Sequence, residues 1–283
     1  MPFSSRDISR FVDIAIQSEL TTREKENAIV YLDFTSLDSR LQEMPDNSDF
    51  LQMWEVTRNW MLERGLDLTA TPFQVACFGH AINGGLFIDE DGETTIHNLF
   101  AAGEVAGGPH GADRLGGNML VTCQVFGRRA GHKAAQRAKE TRSQRNGRLI
   151  SKLVKGLAPK VNRQQVEERT RRLLEIKNSI KDLLWRNYLV VKTEDSLGKC
   201  IEGLNALLAE IQDERNWNRT LLDIVNMLDT AQVMVSAAKE RRESRGSHYR
   251  ADFPTPNPEW QQSIELWKES DIVKMATRNF SNL

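Results

Sequence analysis

Residues 99–120, Leu-Phe-Ala-Ala-Gly-Glu-Val-Ala-Gly-Gly-Pro-His-Gly-Ala-Asp-Arg-Leu-Gly-Gly-Asn-Met-Leu, decide how this chain is read. An apolar run, Leu99–Ala102, reads as a strand that ends in Gly103 and Glu104. A carboxylate there sits at the strand's carboxyl end, where open α/β sheets bind their ligands. Further on, Gly116, Gly117 and Asn118 open a helix. Its first N–H groups are unpaired and its dipole is positive, so this end suits an anionic or carbonyl oxygen. Together the two features outline a cofactor cleft. A plainer reading, in which the glycines only serve tight turns, stands beside it.

Between these landmarks lie His110 and Arg114, and thirty residues earlier comes His80-Ala-Ile-Asn-Gly-Gly85. His and Arg in glycine-rich loops can donate to a carboxylate, the Arg through a bidentate fork. A loop histidine also commonly serves as a cap or faces solvent. Ten glycines fall between Phe78 and Gly117. The order is a strand over Gly85–Asp89, an Asp91-Gly92 turn, a short strand near Ile96 and the strand Leu99–Ala102.

Outward from this segment the chain becomes helical. Ser4-Ser-Arg-Asp7 fits the capping pattern S-x-x-[DE], with Ile8, Phe11, Val12 and Ala15 following at helical spacing, so Arg6 sits in a first turn. Ala28–Phe34 reads as a short strand. Phe50–Glu63 puts Phe50, Met53, Trp54, Thr57, Trp60 and Met61 on one face, stopped by Gly65. Trp54, Trp60 and Trp185 are expected as core or interface anchors. Beyond the helix that starts near Asn118, three amphipathic stretches follow. One is marked by Leu173 and Ile180, one by Leu197 and Leu204, one by Leu221 and Leu228. They predict a three-helix bundle with an extended tail, because the prolines of FPTPNPEW forbid another long helix before Trp260.

Composition agrees with a globular protein: 283 residues, net charge -1, 40% hydrophobic. No window nears ~18 consecutive apolar residues, and the first residues lack a basic stretch followed by an apolar core. Neither a membrane span nor a signal peptide is expected, and no direct membrane insertion. Cys77, Cys123 and Cys200 offer no disulfide framework and no metal site, which fits a reducing, cytoplasmic setting. Residues 1–132 hold 10 Lys+Arg against 19 Asp+Glu, whereas 133–283 hold 28 against 20. The basic half alternates its charges along helical faces, as in RQQVEERTRRLLEIK, so it reads as a solvated face or subunit contact rather than a nucleic-acid surface. Such a face would steer association with an acidic partner in a salt-dependent way.

HAINGG at 80–85 and LFAAGEVAGGPHGADRLGGNMLVTCQVFGRRAG at 99–131 resemble the C-terminal part of the FAD domain in the succinate dehydrogenase, fumarate reductase and L-aspartate oxidase flavoproteins. SSRDISRFVDIAI, YLDF and RRESRGSHYRADFP resemble further family segments, so ordered matches run from residue 6 to residue 254. The resemblance implies that Arg6 exchanges a proton with the substrate carbon, and that His80 and Arg114, with His110 nearby, bind a substrate carboxylate. It places Glu104 on the ribityl chain, and Asn118, Met119 and Leu120 against the flavin pyrimidine ring. Gly84, Gly85, Gly103, Gly116 and Gly117 would let backbone approach the cofactor. Departures from the family pattern fall at Ala81, Asn83, Asp113 and Met119, which touch the substrate or flavin wall and leave the dicarboxylate open. Glu243, Arg245, His248 and Arg250 are read as an ion-pair tie between bundle and FAD domain.

No G-x-G-x-x-G occurs in the 283 residues. The ADP pyrophosphate anchor of the family is therefore not in this sequence. The fold class expected is α+β: a capping-domain remnant at 1–76, the C-terminal part of a partial FAD-binding α/β domain at 77–145, and a helical bundle with extended tail at 146–283. FAD is expected to be held weakly or not at all by the isolated chain. Expected partners are a separate N-terminal flavoprotein half or an iron–sulfur electron-transfer subunit, through which the chain could sit peripherally at the inner membrane face, with a small carboxylate as substrate. The competing reading is a truncated or inactive module that only binds a partner chain.

Overall fold

The computed structural model describes residues 6–22, 29–37, 41, 48–114, 117–140, 163–214, 218–269 and 272–279. The chain opens with α1 (Arg6–Thr22), the short strand β1 (Val30–Leu32), α2 (Asp49–Leu62) and β2 (Phe73–Val75). The Ser48 hydroxyl caps α2 by accepting from Phe50 N–H. Gly65, at φ +78°, turns the chain out of it. β1 and β2 pair antiparallel from Val30 opposite Val75 to Leu32 opposite Phe73. On α2 the expected apolar face is only partly used: Trp54 is buried against Phe34, whereas Trp60 is 50% exposed and carries the Arg64 guanidinium 3.7 Å over its ring.

Residues 76–114 pair through isolated bridges, Leu86 with Ala106, Ile88 with Thr94 and Glu93 with Phe100, rather than through the three strands expected. Reversals at Asp91-Gly92 and at Asn98, which has φ +68°, leave too few residues between turns for a ladder. The 3-10 turn Gly103–Val105 leads toward α3 (Asn118–Glu140), which begins where expected. α3 holds the 89–98 turns by Arg137–Glu93 and Lys133–Asp91 ion pairs, both at 2.8 Å.

Next come α4 (Arg163–Asn187), β3 (Val191–Lys192), α5 (Glu194–Ile211), α6 (Arg219–Glu240) and β4 (Tyr249–Arg250). α5 starts on a capping box between Thr193 and Ser196, and α6 on Asn218, whose side chain accepts from Leu221 N–H at 2.8 Å. The apolar stripes of α4, α5 and α6 meet in one buried cluster that includes Ile180, Leu197, Leu204, Ile224 and Leu228. α6 is, by length and composition, apolar enough to cross a bilayer, but Leu221, Ile224, Leu228 and Val235 lie inside this cluster. β3 and β4 pair in parallel and close the region across 58 residues of chain, Val191 opposite Tyr249. The tail is not merely extended: β5 (Gln262–Glu269) and β6 (Ile272–Asn279) form an antiparallel hairpin.

Candidate functional site

The site is assembled by close backbone approach. Leu86 N–H donates to Val105 O at 2.7 Å and Gly107 N–H to Leu86 O at 2.9 Å. A Cβ at Gly85 would lie 2.3 Å from the Val105 oxygen, so only glycine lets the 80–85 loop lie on the 103–107 turn. Glu104, exposed on that turn, accepts the Ile82 N–H at 2.9 Å. His80 is exposed in the loop just before, and Gly84 is exposed beside Gly85.

Pro109–Arg114 lies on the other side. His110 Nε2 meets Thr122 Oγ1 at 3.1 Å, and Thr122 Oγ1 spends its proton on Met119 O at 2.9 Å. Arg114 is half-buried, with its backbone N–H on Asp113 Oδ1 at 2.8 Å. Gly117 turns into α3, where Leu120 N–H folds back to Gly117 O at 3.1 Å. Asn118 and Leu120 are exposed at this helix start and Met119 is half-buried. Arg6 is the first residue of α1, and its side chain, like Gly116, Ser4 and Ser5, lies outside the described residues.

The described residues that the resemblance sets against a flavin ring and ribityl chain, Gly103, Glu104, Asn118, Met119 and Leu120, are exposed or half-buried. Leu120, Val121 and Val125 on α3, and Val105 on the preceding turn, are exposed apolar side chains. The helix start supplies N–H groups, and Glu104 supplies a carboxylate for a hydroxyl. Nothing comparable to a glycine-rich pyrophosphate loop occurs in the sequence.

The segment around residue 245 behaves differently from expectation. Its ion pairs are internal to the C-terminal region. Glu243 is fully buried and accepts from Arg241, Arg245 and Asn257 N–H at 2.8–2.9 Å. Burial alone would raise its carboxyl, but the Arg245, Asn257 and Arg241 hydrogen bonds outweigh that and hold it low. Arg250, also buried, joins Asp252 at 2.8 Å and Glu194 at 3.1 Å. Burial, with Lys192 next in effect, pushes His248 down to about 4. Contact with the 108–114 loop is made instead by Gly246-Ser247. Ser247 N–H and hydroxyl both reach Ala112 O, at 3.4 and 3.3 Å. A Cβ on Gly246, which has φ +58°, would stand 2.5 Å from that oxygen.

Sequence reasoning marks Asn83 and Asp113 only as departures and has no signal for Ser247. In the structure Asn83 Nδ2 donates to Asp113 Oδ1 at 3.4 Å and to Ser247 Oγ at 3.3 Å. Among the described residues no group of three or more His, Cys, Asp or Glu is placed to hold a metal.

A family profile described as "FAD binding domain" matches residues 9–120, and one described as "Fumarate reductase flavoprotein C-term" matches residues 177–281. A subunit of the fumarate reductase (CoM/CoB) of Methanothermobacter marburgensis is 37% identical over 93% of this chain and 47% of that protein. L-aspartate oxidase of Pseudomonas aeruginosa is 29% identical over 72% of this chain and 37% of its own length. The Mycobacterium smegmatis Sdh1 complex in its apo form matches with a TM-score of 0.68 and 25% identity, covering 98% of this chain and 47% of that one. The chain thus spans about half the length, or less, of the curated relatives it matches.

Proposed function

Because the chain belongs to the flavoprotein family of fumarate reductase, succinate dehydrogenase and L-aspartate oxidase, we propose that it forms the substrate side of an FAD-dependent oxidoreductase acting on a small carboxylate. The observation that carries this reading is the seating of the 80–85 loop on the 103–107 turn. It ties the loop that carries His80 to the turn that carries Glu104, through Ile82 N–H on the Glu104 carboxylate and the Leu86–Val105 and Gly107–Leu86 backbone bonds.

FAD, when bound, supplies a hydride acceptor or donor. Arg114 presents a planar fork and His80 a ring donor to the substrate carboxylate, which orients the reacting carbon. Arg6 gives a proton to that carbon or takes one from it. Glu104 accepts a ribityl hydroxyl, and the first N–H groups of α3 favour partial negative charge on the flavin edge. Residues 1–76 act as a capping part, 77–145 as part of the FAD domain, and α4–α6 with the hairpin as a helical bundle domain. A second chain carrying the glycine-rich pyrophosphate loop completes the cofactor site, and an iron–sulfur subunit passes electrons. The protein is cytoplasmic and reaches a membrane only through such partners.

The test is reconstitution with an N-terminal flavoprotein half. The 283 residues alone are expected to purify colourless, because no glycine-rich pyrophosphate loop lies among them. The reconstituted complex is expected to be yellow and to turn over a carboxylate. Arg6→Gln should then lower turnover by roughly 10²–10⁴-fold with flavin still bound, the usual weight of a general acid–base. Near-full turnover in that variant would remove Arg6 from proton transfer. Yellow complexes inactive on every carboxylate would favour the partner-binding module.

A further inference from the structure

The two loops that carry His80 and Arg114 are joined by bridges and turns rather than by a ladder, so their spacing depends on individual ties. On one side the 80–85 loop is fixed by Ile82 N–H to Glu104 and by Gly85 beneath Val105. On its other side the tie is Asn83. Its Nδ2 reaches Asp113 Oδ1 across 30 residues of sequence and Ser247 Oγ across 164. The same Asp113 Oδ1 accepts the Arg114 backbone N–H at 2.8 Å. Ser247 in turn holds Ala112 O with both its N–H and its hydroxyl. From Asn83 the bonds lead to residues 112–114 by two routes, directly to Asp113 and by way of Ser247 to Ala112 O.

We propose that Asn83 is a positioning residue for the carboxylate clamp: through Asp113 and Ser247 it sets the loop of His80 against the loop of Arg114. The inference rests on the clamp reading given above. At 3.3–3.4 Å the Asn83 bonds are long, and each is weak alone. Because Ser247 itself holds Ala112 O, the two bonds act on one short stretch and together form a brace. The other half of the amide supports this reading, because Asn83 Oδ1 is buried without a partner among the described residues. Burying an amide carbonyl in that way is unfavourable, and an apolar side chain would avoid the cost. The amide is accounted for by what its NH₂ group holds. One Asp113 side-chain oxygen accepts both from that NH₂ and from the Arg114 N–H, so the contact needs only an acceptor oxygen at this position. Ser247 also carries the brace into the helical region, since Gly246 is pressed against Ala112 and the 243–250 segment is anchored by buried Glu243 and Arg250. The clamp spacing is therefore set from a region that does not itself touch substrate.

Amide hydrogen exchange on the 283-residue chain, without flavin or substrate, tests the brace directly. Asn83→Leu should speed exchange at residues 110–114 by roughly tenfold, the worth of one net hydrogen bond. Exchange within α5 and α6 should not change. Should Asn83→Leu not fold, Ser247→Ala removes a bond of the same brace from outside the loop and should act in the same direction. Asp113→Asn keeps an acceptor oxygen and should stay near wild type, whereas Asp113→Leu should match Asn83→Leu. Unchanged exchange at 110–114 in both Asn83→Leu and Ser247→Ala would overturn the proposal. In the reconstituted enzyme Asn83→Leu should raise the KM for the carboxylate by about tenfold and leave kcat within about threefold, because positioning is lost before chemistry. A fall in kcat with KM unchanged would also overturn it. An enzyme without turnover on any carboxylate removes the clamp reading, and the exchange data then decide the brace alone.

Discussion

Leu228 and Leu120 are the same side chain in opposite circumstances: the first is 0% exposed between α4, α5 and α6, the second 73% exposed at the start of α3. The contrast holds for their surroundings. Around Leu228, apolar stripes from three helices close on one another, and buried side chains such as Ile180, Leu197 and Ile224 are wholly removed from solvent. At the start of α3 Val121 is exposed with Leu120, as is Val105 on the preceding turn, and Phe78 is 77% exposed with its ring tilted against Trp185. One region is held by packing. The other is held by backbone hydrogen bonds, glycine contacts and a few ion pairs, and its apolar side chains stay exposed. Exposed apolar side chains of that kind mark a binding or docking surface. The packed and the exposed regions meet at Gly246-Ser247, at the Phe78–Trp185 ring pair and at Arg278 over the Phe87 ring.

The contrast can be broken most severely at its anchor. Glu243→Ala should cost about 3–5 kcal/mol in urea unfolding, because Arg241 and Arg245 would be left around a buried gap without their carboxylate. A loss below about 1 kcal/mol would mean that both guanidinium groups escape to water at little cost. Leu228→Ala should cost about 2–5 kcal/mol, a transfer loss plus a cavity in the shared core.

Acid should act on the same region. His248 is held down to about 4 in the folded chain, against an ordinary value near 6.5. Below pH 6.5 the unfolded chain takes up a proton that the folded chain refuses, so stability falls from there and the His248 share is lost by about pH 4. That share is at most about 3 kcal/mol. Asp252, held down to about 2 chiefly by its Arg250 hydrogen bond, adds a second loss as pH falls through the range below 4. His248→Asn should flatten the slope between pH 6.5 and 4 and leave the lower one. Unfolding measured across pH 2–8 separates the two.

The smallest effect is expected on these exposed side chains. Leu120→Ser should change the stability of the isolated chain by no more than about 0.5 kcal/mol, as at an exposed site. The same change should weaken flavin binding in the reconstituted complex. A large loss of stability in the chain alone would show that Leu120 packs within this chain and would erase the contrast between the two regions.

Much of this architecture is legible in the order of residues. The stop of α2 at Gly65, the start of α3 near Asn118 and the three C-terminal helices are evident there, because caps and 3.6-residue periodicity are local signals. The hairpin of β5 and β6 is not. The half-buried residues of β5, Gln262–Leu266, run consecutively, so no period of two marks a strand. Trp60 lies on the expected apolar face of α2 yet is half exposed, since periodicity names a face without saying what covers it. The strands expected near Ile96 and at Leu99–Ala102 reduce to single bridges because turns crowd them.

The sequence by itself determined which residue types occupy the loops: His80, Glu104, His110 and Arg114 among glycines, with Arg6 in a helix first turn. These follow from neighbours along the chain. Only the tertiary structure decided that Asn83 meets Asp113 and Ser247, and that Gly246 lies on Ala112. Those partners of Asn83 are 30 and 164 residues away and belong to loops with no periodicity. Their meeting depends on how α4–α6 pack and on the parallel pairing of β3 with β4, and long-range packing leaves no trace in any local window of sequence.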